Sequence, residues 1–269
     1  MNIFQKKSAF IPGGNFLVSI TLHSEIIMKI MLYALLIFTS ISSCTKKNND
    51  AVTNRGIISD TISSTAMDTT IKTYLALGDS YTIGQSVPDS EKFPIQAEQV
   101  LKQQNISLNN PDIIAVTGWT TGNLLSALNS NPPIKTYSVV TLLIGVNNQY
   151  QGRSIEEYKS QFSELLSRAI QYAGSNKNHV FVISIPDYSV TPFARNADTA
   201  KIAAEIDAFN AANKNLATTA GVHYVDITPI SREAKNDPSL VAGDGLHPSG
   251  LQYKKWVALL APAMQQVLQ

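Results

Sequence analysis

Residues 74–80 read Tyr-Leu-Ala-Leu-Gly-Asp-Ser, an apolar run that ends abruptly in a glycine and two polar residues. A short apolar run of this kind is typical of a strand that is buried on both faces of a sheet. Further runs rich in Val and Ile follow, and together they predict strands at 74–77, 113–117, 139–144, 180–185 and 222–227. We therefore expect a parallel sheet that helices cover on both sides.

Amphipathic segments separate these runs and predict the covering helices. Ser154 and Glu157 form a capping-box pattern, and apolar residues then keep helical spacing until Gly174. A second helix is predicted from about Asp198 to Gly221, and others at 249–268, 94–104 and 122–129. The repeated strand–helix alternation predicts an α/β fold, a three-layer α/β/α sandwich around a parallel sheet.

Ser80 is the candidate nucleophile. It follows the first predicted strand through a tight Gly-Asp turn, which would hold its hydroxyl at a rigid edge. Ligands of open parallel sheets bind beyond the carboxyl ends of the strands, where this serine lies. A serine outside such a setting is more often a surface or capping residue.

His247 is the candidate base, and elimination supports it. Of the four histidines, His23 lies in the N-terminal leader, whereas His179 and His223 lie at strand starts, away from the expected crevice. Asp244 precedes His247 by three residues and could orient its ring, leaving Nε2 free for the serine. Metal ligation is the alternative for this pair, but further ligands at suitable spacing are absent from the sequence.

The transition state of acyl transfer also needs hydrogen-bond donors for a developing oxyanion. Gly118 and Asn147 follow the second and third predicted strands and offer a backbone N–H and a side-chain amide, beside the N–H of Ser80. Gly118 is equally typical of a turn glycine, and Asn147 of a residue that caps a strand end.

In their order along the chain these elements resemble the SGNH (GDSL-type) hydrolases. The matching motifs are Gly78-Asp79-Ser80, Gly118, Gly145-x-Asn147 and Asp244-x-x-His247, and the resemblance extends from Tyr74 to the C-terminus. It implies a five-stranded, flavodoxin-like sheet with a shallow, solvent-facing site that acts on esters. It also implies catalytic roles for Ser80, Asp244 and His247, and an oxyanion hole formed by Ser80, Gly118 and Asn147.

One position departs from the family pattern. The family commonly has Gly-x-Asn-Asp in its third block, whereas the fourth residue here is Asn148. This substitution puts in doubt the supporting hydrogen bond of the family's aspartate, which an amide could partly replace. Motifs of competing enzyme classes, including Gly-x-Ser-x-Gly, the Walker loop and His-Glu-x-x-His, are absent from the sequence.

The N-terminal part of the chain predicts export. From Met28 the sequence reads Met-Lys, then a short apolar run, then Ile41-Ser-Ser-Cys44, which resembles a bacterial lipobox with Cys44 as the lipidated residue. We therefore expect Met28 as the true start after residues 1–27, a lipoprotein signal peptide at 28–44, a flexible tether at 45–72 and a hydrolase domain at 73–269. The alternative is an amphipathic helix of a cytosolic protein with a stray cysteine.

These features together predict a serine esterase anchored by lipid at the bacterial cell envelope, in the periplasm or on the outer membrane. The net charge of +1 indicates no nucleic-acid partner, and we expect neither a cofactor nor a metal. Acylated carbohydrates or other small esters are the expected substrates, with Trp119 and Tyr81 as candidate contacts. The alternatives are a lysophospholipase or thioesterase, a non-catalytic binding lipoprotein, and a flavodoxin-like cofactor binder.

Overall fold

Five parallel strands form the centre of the structure, a computed structural model that describes residues 70–269. The sheet order is β2-β1-β3-β4-β5, so the chain reverses its direction of winding between β1 and β3. In such sheets the reversal opens a crevice beyond the carboxyl ends of the strands. The strands are β1 (Tyr74–Gly78), β2 (Asp112–Ala115), β3 (Val139–Leu143), β4 (Val180–Ile183) and β5 (His223–Val225).

Helices connect the strands and cover the sheet, and the alternation expected from the sequence is confirmed. Ser154 accepts a hydrogen bond from the N–H of Glu157 at 3.1 Å and begins the best-patterned helix. Asp198 caps the longest helix, which ends at Gly221 in the left-handed conformation. The helices are α1 (Ser80–Ile83), α2 (Phe93–Gln103), α3 (Thr121–Ser130), α4 (Val146–Tyr150), α5 (Ile155–Tyr172), α6 (Thr199–Ala220), α7 (Thr228–Arg232) and α8 (Gly250–Leu268).

Aromatic side chains fill the space between the helices and the sheet. Phe93 of α2 lies 6.2 Å, ring to ring, from both Tyr253 and Trp256 of α8. On α5, the ring of Tyr158 lies 4.7 Å from that of Phe209 on α6. Each such ring, fully buried, stabilises the fold by about 1.5–3 kcal/mol, so these contacts fix the layers that carry the site.

Four strands, β2 to β5, end one or two residues earlier than the sequence pattern predicts. The predicted fifth strand, 222–227, is paired only at His223–Val225. Beyond it, the Ser184 hydroxyl accepts hydrogen bonds from the N–H groups of Ile227 at 2.8 Å and Thr228 at 3.1 Å. These backbone groups are satisfied by a side chain instead of a neighbouring strand, so the ladder ends early. The second predicted strand, 113–117, ends at 115 because residues 116–119 form a turn.

The predicted leader (1–27), the signal peptide (28–44) with Cys44, and residues 45–69 of the tether lie outside the described residues. Lys72, the last residue assigned to the tether, pairs with the domain, since its N–H donates to the Ser107 carbonyl and its carbonyl accepts from Asn109. Among residues 70–269, the helices are too short or too polar to cross a bilayer.

Candidate active site

Ser80 lies where β1 passes into the short helix α1. Gly78 permits this sharp turn, because a Cβ at that position would collide with the Thr82 side chain and the Leu143 carbonyl. Asp79 caps α1 by accepting a hydrogen bond from the N–H of Tyr81 at 3.0 Å. Ser80 is thereby fixed at the carboxyl edge of the sheet, as the sequence predicts.

Burial also changes the chemistry of Asp79. Its side chain is fully enclosed and its Oδ2 has no hydrogen-bond partner within the described part of the chain. Burial raises the pKa of Asp79 to about 7, against the opposing effect of the Tyr81 N–H. The residue next to the nucleophile is therefore protonated through much of the acidic and neutral range.

His247 and Asp244 form a tight pair on the loop before α8. Nδ1 of His247 lies 2.6 Å from Oδ2 of Asp244, while Oδ1 of Asp244 accepts the N–H groups of Leu246 at 2.9 Å and His247 at 3.0 Å. Burial alone would raise the pKa of Asp244, but these donors, led by His247, hold it well below its usual range. An ionised Asp244 can orient the imidazole and stabilise its protonated form.

Gly118 and Asn147 lie on the segments that follow β2 and β3, on either side of β1. Gly118 has φ +82°, a left-handed conformation that favours glycine, and its α-carbon faces open space. Asn147 lies on α4 and donates one amide hydrogen to the Trp119 carbonyl at 3.0 Å. An amide nitrogen carries two hydrogens, so a second donor remains. The prediction that these residues share a rim with Ser80 agrees with the structure, since all three line one cavity.

Asn148, the residue that departs from the family pattern, makes two hydrogen bonds to Thr121. Its side chain is fully buried; Oδ1 accepts from the N–H of Thr121 at 3.0 Å, and Nδ2 donates to the Thr121 hydroxyl at 2.7 Å. Thr121 is the first residue of α3, directly after the loop that holds Gly118. The amide therefore joins the segments after β2 and β3 that carry the candidate oxyanion donors, the two oxyanion loops.

The cavity at the strand ends has a volume of about 140 Å³ and contains both Ser80 and His247. Its wall is mostly apolar. The lining residues are Ser80, Tyr81, Thr117, Gly118, Val146, Asn147, Tyr150, Tyr188, Phe193, Leu246 and His247. The serine, the histidine and the candidate oxyanion donors thus meet in one small cavity that is partly open to solvent.

Three aromatic rings that the sequence reasoning did not single out form part of this wall. Tyr150, Tyr188 and Phe193 lie 5.9–6.2 Å apart, ring to ring. Tyr188 and Phe193 lie on the loop after the fourth strand, and the place of that loop at a carboxyl strand end is the signal that could have found them. Tyr150 had no such signal, because its position depends on how α4 turns after Gly145.

The two predicted aromatic contacts differ in their placement. Tyr81 lines the cavity, and its ring lies 5.1 Å from that of His247. Trp119 does not line this cavity; its half-buried ring packs against the core, and only its carbonyl serves the site, through Asn147. Trp119 therefore contributes to the position of the oxyanion loop more directly than to the cavity wall.

A larger groove of about 780 Å³ is partly lined by Asp187, Arg195 and Arg232. Neither Ser80 nor His247 lines this groove. The cavity at the strand ends is therefore the candidate active site, although it is smaller than the groove. The described residues contain no group of three or more His, Cys, Asp or Glu side chains placed to hold a metal ion.

Comparisons with known proteins place the chain in a family. A family model described as the GDSL-like lipase/acylhydrolase family matches residues 76–255. No curated protein sequence matches the chain.

Solved structures share the fold. A lipase, Lip_vut3, from a goat rumen metagenome is 19% identical with a TM-score of 0.60, covering 74% of this chain and 100% of its own. The family 3 carbohydrate esterase of Clostridium thermocellum is 20% identical with a TM-score of 0.56, covering 74% and 98%. Axe2, an acetylxylan esterase from Geobacillus stearothermophilus, is 17% identical with a TM-score of 0.54, covering 73% and 94%.

Proposed function

The chain belongs to the GDSL-like lipase/acylhydrolase family and is a carboxylic ester hydrolase, and from this premise we propose that it works through an acyl-enzyme on Ser80. Family membership favours an enzyme over the non-catalytic binding module that the sequence left open. The observation that carries the proposal is the Asp244–His247 pair, 2.6 Å apart, beside a serine in the same cavity.

In the first half of the reaction, Nε2 of His247 takes the hydroxyl proton of Ser80 as its oxygen attacks the ester carbonyl. Asp244 accepts from Nδ1 and stabilises the imidazolium. The N–H groups of Ser80 and Gly118 and the Asn147 amide donate to the oxyanion. His247 then gives its proton to the departing alcohol.

In the second half, water replaces the alcohol. His247 takes a proton from the water, which attacks the acyl carbonyl, and the same donors hold the second oxyanion. Collapse of this intermediate returns the proton to Ser80 and releases the carboxylic acid. Each step uses residues that line the cavity, together with Asp244, which contacts Nδ1 of His247.

The size of the cavity favours short acyl groups. A volume of about 140 Å³ is small beside the ~300–1,000 Å³ of pockets that take drug-sized ligands. An acetyl to butyryl chain fits this space, whereas a long fatty acyl chain would extend beyond it. This argument favours a small-ester hydrolase over a lysophospholipase or long-chain thioesterase.

The rim of the cavity favours a ring-shaped alcohol. Tyr150 and Phe193 are 59% and 49% exposed, which is high for aromatic side chains that pack on each other. Aromatic faces of this kind stack on sugar rings. Two structural neighbours, Axe2 and the Clostridium thermocellum enzyme, bear names that specify carbohydrate esters, so we propose acylated carbohydrates as the substrate class.

The test is a panel of p-nitrophenyl esters from acetyl to decanoyl, together with an acetylated xylo-oligosaccharide. We expect kcat/KM to fall beyond butyryl, and hydrolysis to be lost in Ser80→Ala. Phe193→Ala should weaken selection among alcohol groups, whereas Leu259→Ala, which removes an equally exposed apolar side chain from α8, should not. Unchanged turnover in Ser80→Ala contradicts the mechanism, and a preference for decanoyl esters contradicts the substrate assignment.

We also propose attachment to the cell envelope through Cys44. The support is the lipobox-like sequence alone, since Cys44 lies outside the described residues. Growth of a producing bacterium with an alkyne-labelled fatty acid should label the protein, and Cys44→Ala should abolish the label and release the protein from membranes. Equal membrane association and no label in either form would contradict this proposal.

A further inference from the structure

Ser86 reaches Asp244 from the segment that follows the nucleophile helix. Its hydroxyl donates to Oδ2 of Asp244 at 2.7 Å, across 158 positions of sequence. This is the same oxygen that faces Nδ1 of His247. A residue six positions after Ser80 thus contacts the partner of the base.

The remaining contacts of Asp244 are local. Its other oxygen accepts from the N–H groups of Leu246 and His247, both within three residues. In the described part of the chain, Ser86 is the one hydrogen-bond donor to this carboxylate that comes from outside the Asp244–His247 loop. It therefore joins the loop of the base to the segment of the nucleophile.

The backbone at this position indicates that the hydroxyl matters. Ser86 has φ +67°, a conformation in which glycine is unstrained and other residues are uncommon. Strained residues persist where a surrounding contact requires them, and they cluster at functional sites. A serine at this position has a strained backbone conformation, which glycine would avoid, but it supplies a hydroxyl donor that glycine lacks.

We propose that Ser86 is a positioning residue that acts through Asp244. Its hydroxyl holds the carboxylate of Asp244 in the orientation that directs His247 towards Ser80. The same hydrogen bond partly neutralises the negative charge of Asp244 and so weakens its attraction for the imidazolium form of His247. This inference rests on the proposed serine mechanism and adds a fourth member to it.

The neighbouring residue provides a useful comparison. Gln85 accepts a hydrogen bond from the Thr117 hydroxyl at 2.7 Å, next to Gly118. Loss of Gln85 therefore loosens the same segment on the side of the oxyanion loop and leaves Asp244 untouched.

The experiment measures kcat/KM against pH for Ser86→Ala and Ser86→Gly in the full-length protein. Removing a hydrogen bond to a charged group should lower kcat/KM about tenfold. Without the Ser86 hydroxyl, the negative charge of Asp244 acts more strongly on His247 and favours its imidazolium form. The acidic limb of the profile therefore moves to higher pH. Both variants should show the same shift, although glycine relaxes the backbone and alanine does not.

Two control variants distinguish a positioning effect on Asp244 from a general loss of order in the segment after α1. Ser90 is an exposed serine four residues further on, and its hydroxyl makes no hydrogen bond within residues 70–269, so Ser90→Ala should match the wild type. Gln85→Ala should lower kcat without moving the acidic limb. An acidic limb that moves equally in Gln85→Ala, or a Ser86→Gly variant with wild-type kinetics, overturns the inference.

A double-mutant cycle tests whether the effect passes through Asp244. In an Asp244→Ala background the further change Ser86→Ala should cost little, because its partner is already gone. A second tenfold loss in that background overturns the inference. If Ser80→Ala retains full activity the proposed function itself fails, whereas a null result at Ser86 with an inactive Ser80→Ala overturns only the role of Ser86.

Discussion

Replacing Asn148 tests whether the link between the two oxyanion loops depends on an accepting oxygen or on the whole amide. The two hydrogen bonds between Asn148 and Thr121 are buried. The Thr121 hydroxyl in turn donates to Oε1 of Gln161, at 2.5 Å. Alanine and aspartate at position 148 should therefore have very different consequences.

Asn148→Ala removes both bonds and leaves the Thr121 N–H without a partner. Each lost bond costs about 1 kcal/mol, and an unpaired buried donor costs a further 1–3 kcal/mol. We expect a loss of about 3–5 kcal/mol in the free energy of unfolding. Because Thr121 begins the helix after Gly118, kcat should fall as well.

Asn148→Asp keeps the acceptor for the Thr121 N–H. The Thr121 hydroxyl can turn to donate to the second carboxylate oxygen, and the Gln161 amide can turn to donate to that hydroxyl. This exchange gives up the bond from Gln161 to Glu157, which is 3.2 Å long. The carboxylate at this fully buried position also loses its hydration, so we expect a stability loss at neutral pH that is smaller than that of alanine, and activity within a few-fold of wild type.

The assays are urea denaturation, followed by fluorescence, and kcat with a short-chain p-nitrophenyl ester. Alanine with wild-type stability and turnover would refute the view that Asn148 couples the loops. Aspartate as damaging as alanine would refute the view that the accepting oxygen is the essential part.

Three further predictions concern residues beside the nucleophile. Asn147→Ala should lower kcat by about 10²- to 10³-fold while KM changes little, as expected for a lost oxyanion donor; an unchanged kcat would exclude that role. Burial raises the pKa of Asp79 from 3.8 to about 7 in the folded state. Between these values the folded protein binds more protons than the unfolded chain, so the free energy of unfolding falls as pH rises from about 4 to 7. Asp79→Asn should flatten this dependence, by up to about 4 kcal/mol, and an unchanged slope in denaturation at pH 5 and 8 would contradict it. Gly118→Ala meets open space and should cost about 1–2 kcal/mol of backbone strain, whereas Gly145→Ala at φ +134° also strikes the Tyr158 ring and should cost more; equal melting temperatures would contradict the difference.

Much of the fold follows from local patterns in the sequence. The five apolar runs became the five strands, because such runs have few other ways to be buried. Their ends were less predictable, as β5 shows: the Ser184 hydroxyl takes over the backbone N–H groups that a longer strand would have paired. These hydrogen bonds join residues more than 40 positions apart, and the local periodicity of a strand cannot predict such a contact.

The residues of the candidate site are likewise predictable from the sequence only in part. Ser80, Asp244 and His247 stand in motifs whose spacing already indicates their chemistry, and the structure brings the serine and histidine to one cavity. Tyr150 and Ser86 carry no such signal. Their places depend on the turn after Gly145 and on a left-handed residue after α1, which are properties of the folded chain.

The most direct test of the central claim is covalent labelling. A fluorophosphonate reacts with a serine only where a base and an oxyanion hole activate it. Peptide mapping by mass spectrometry after labelling of the full-length protein should find the phosphonate on Ser80, with no adduct in Ser80→Ala or His247→Ala. An adduct on a different residue, or ester hydrolysis that continues with Ser80 unlabelled, would contradict the assignment of Ser80 as the nucleophile.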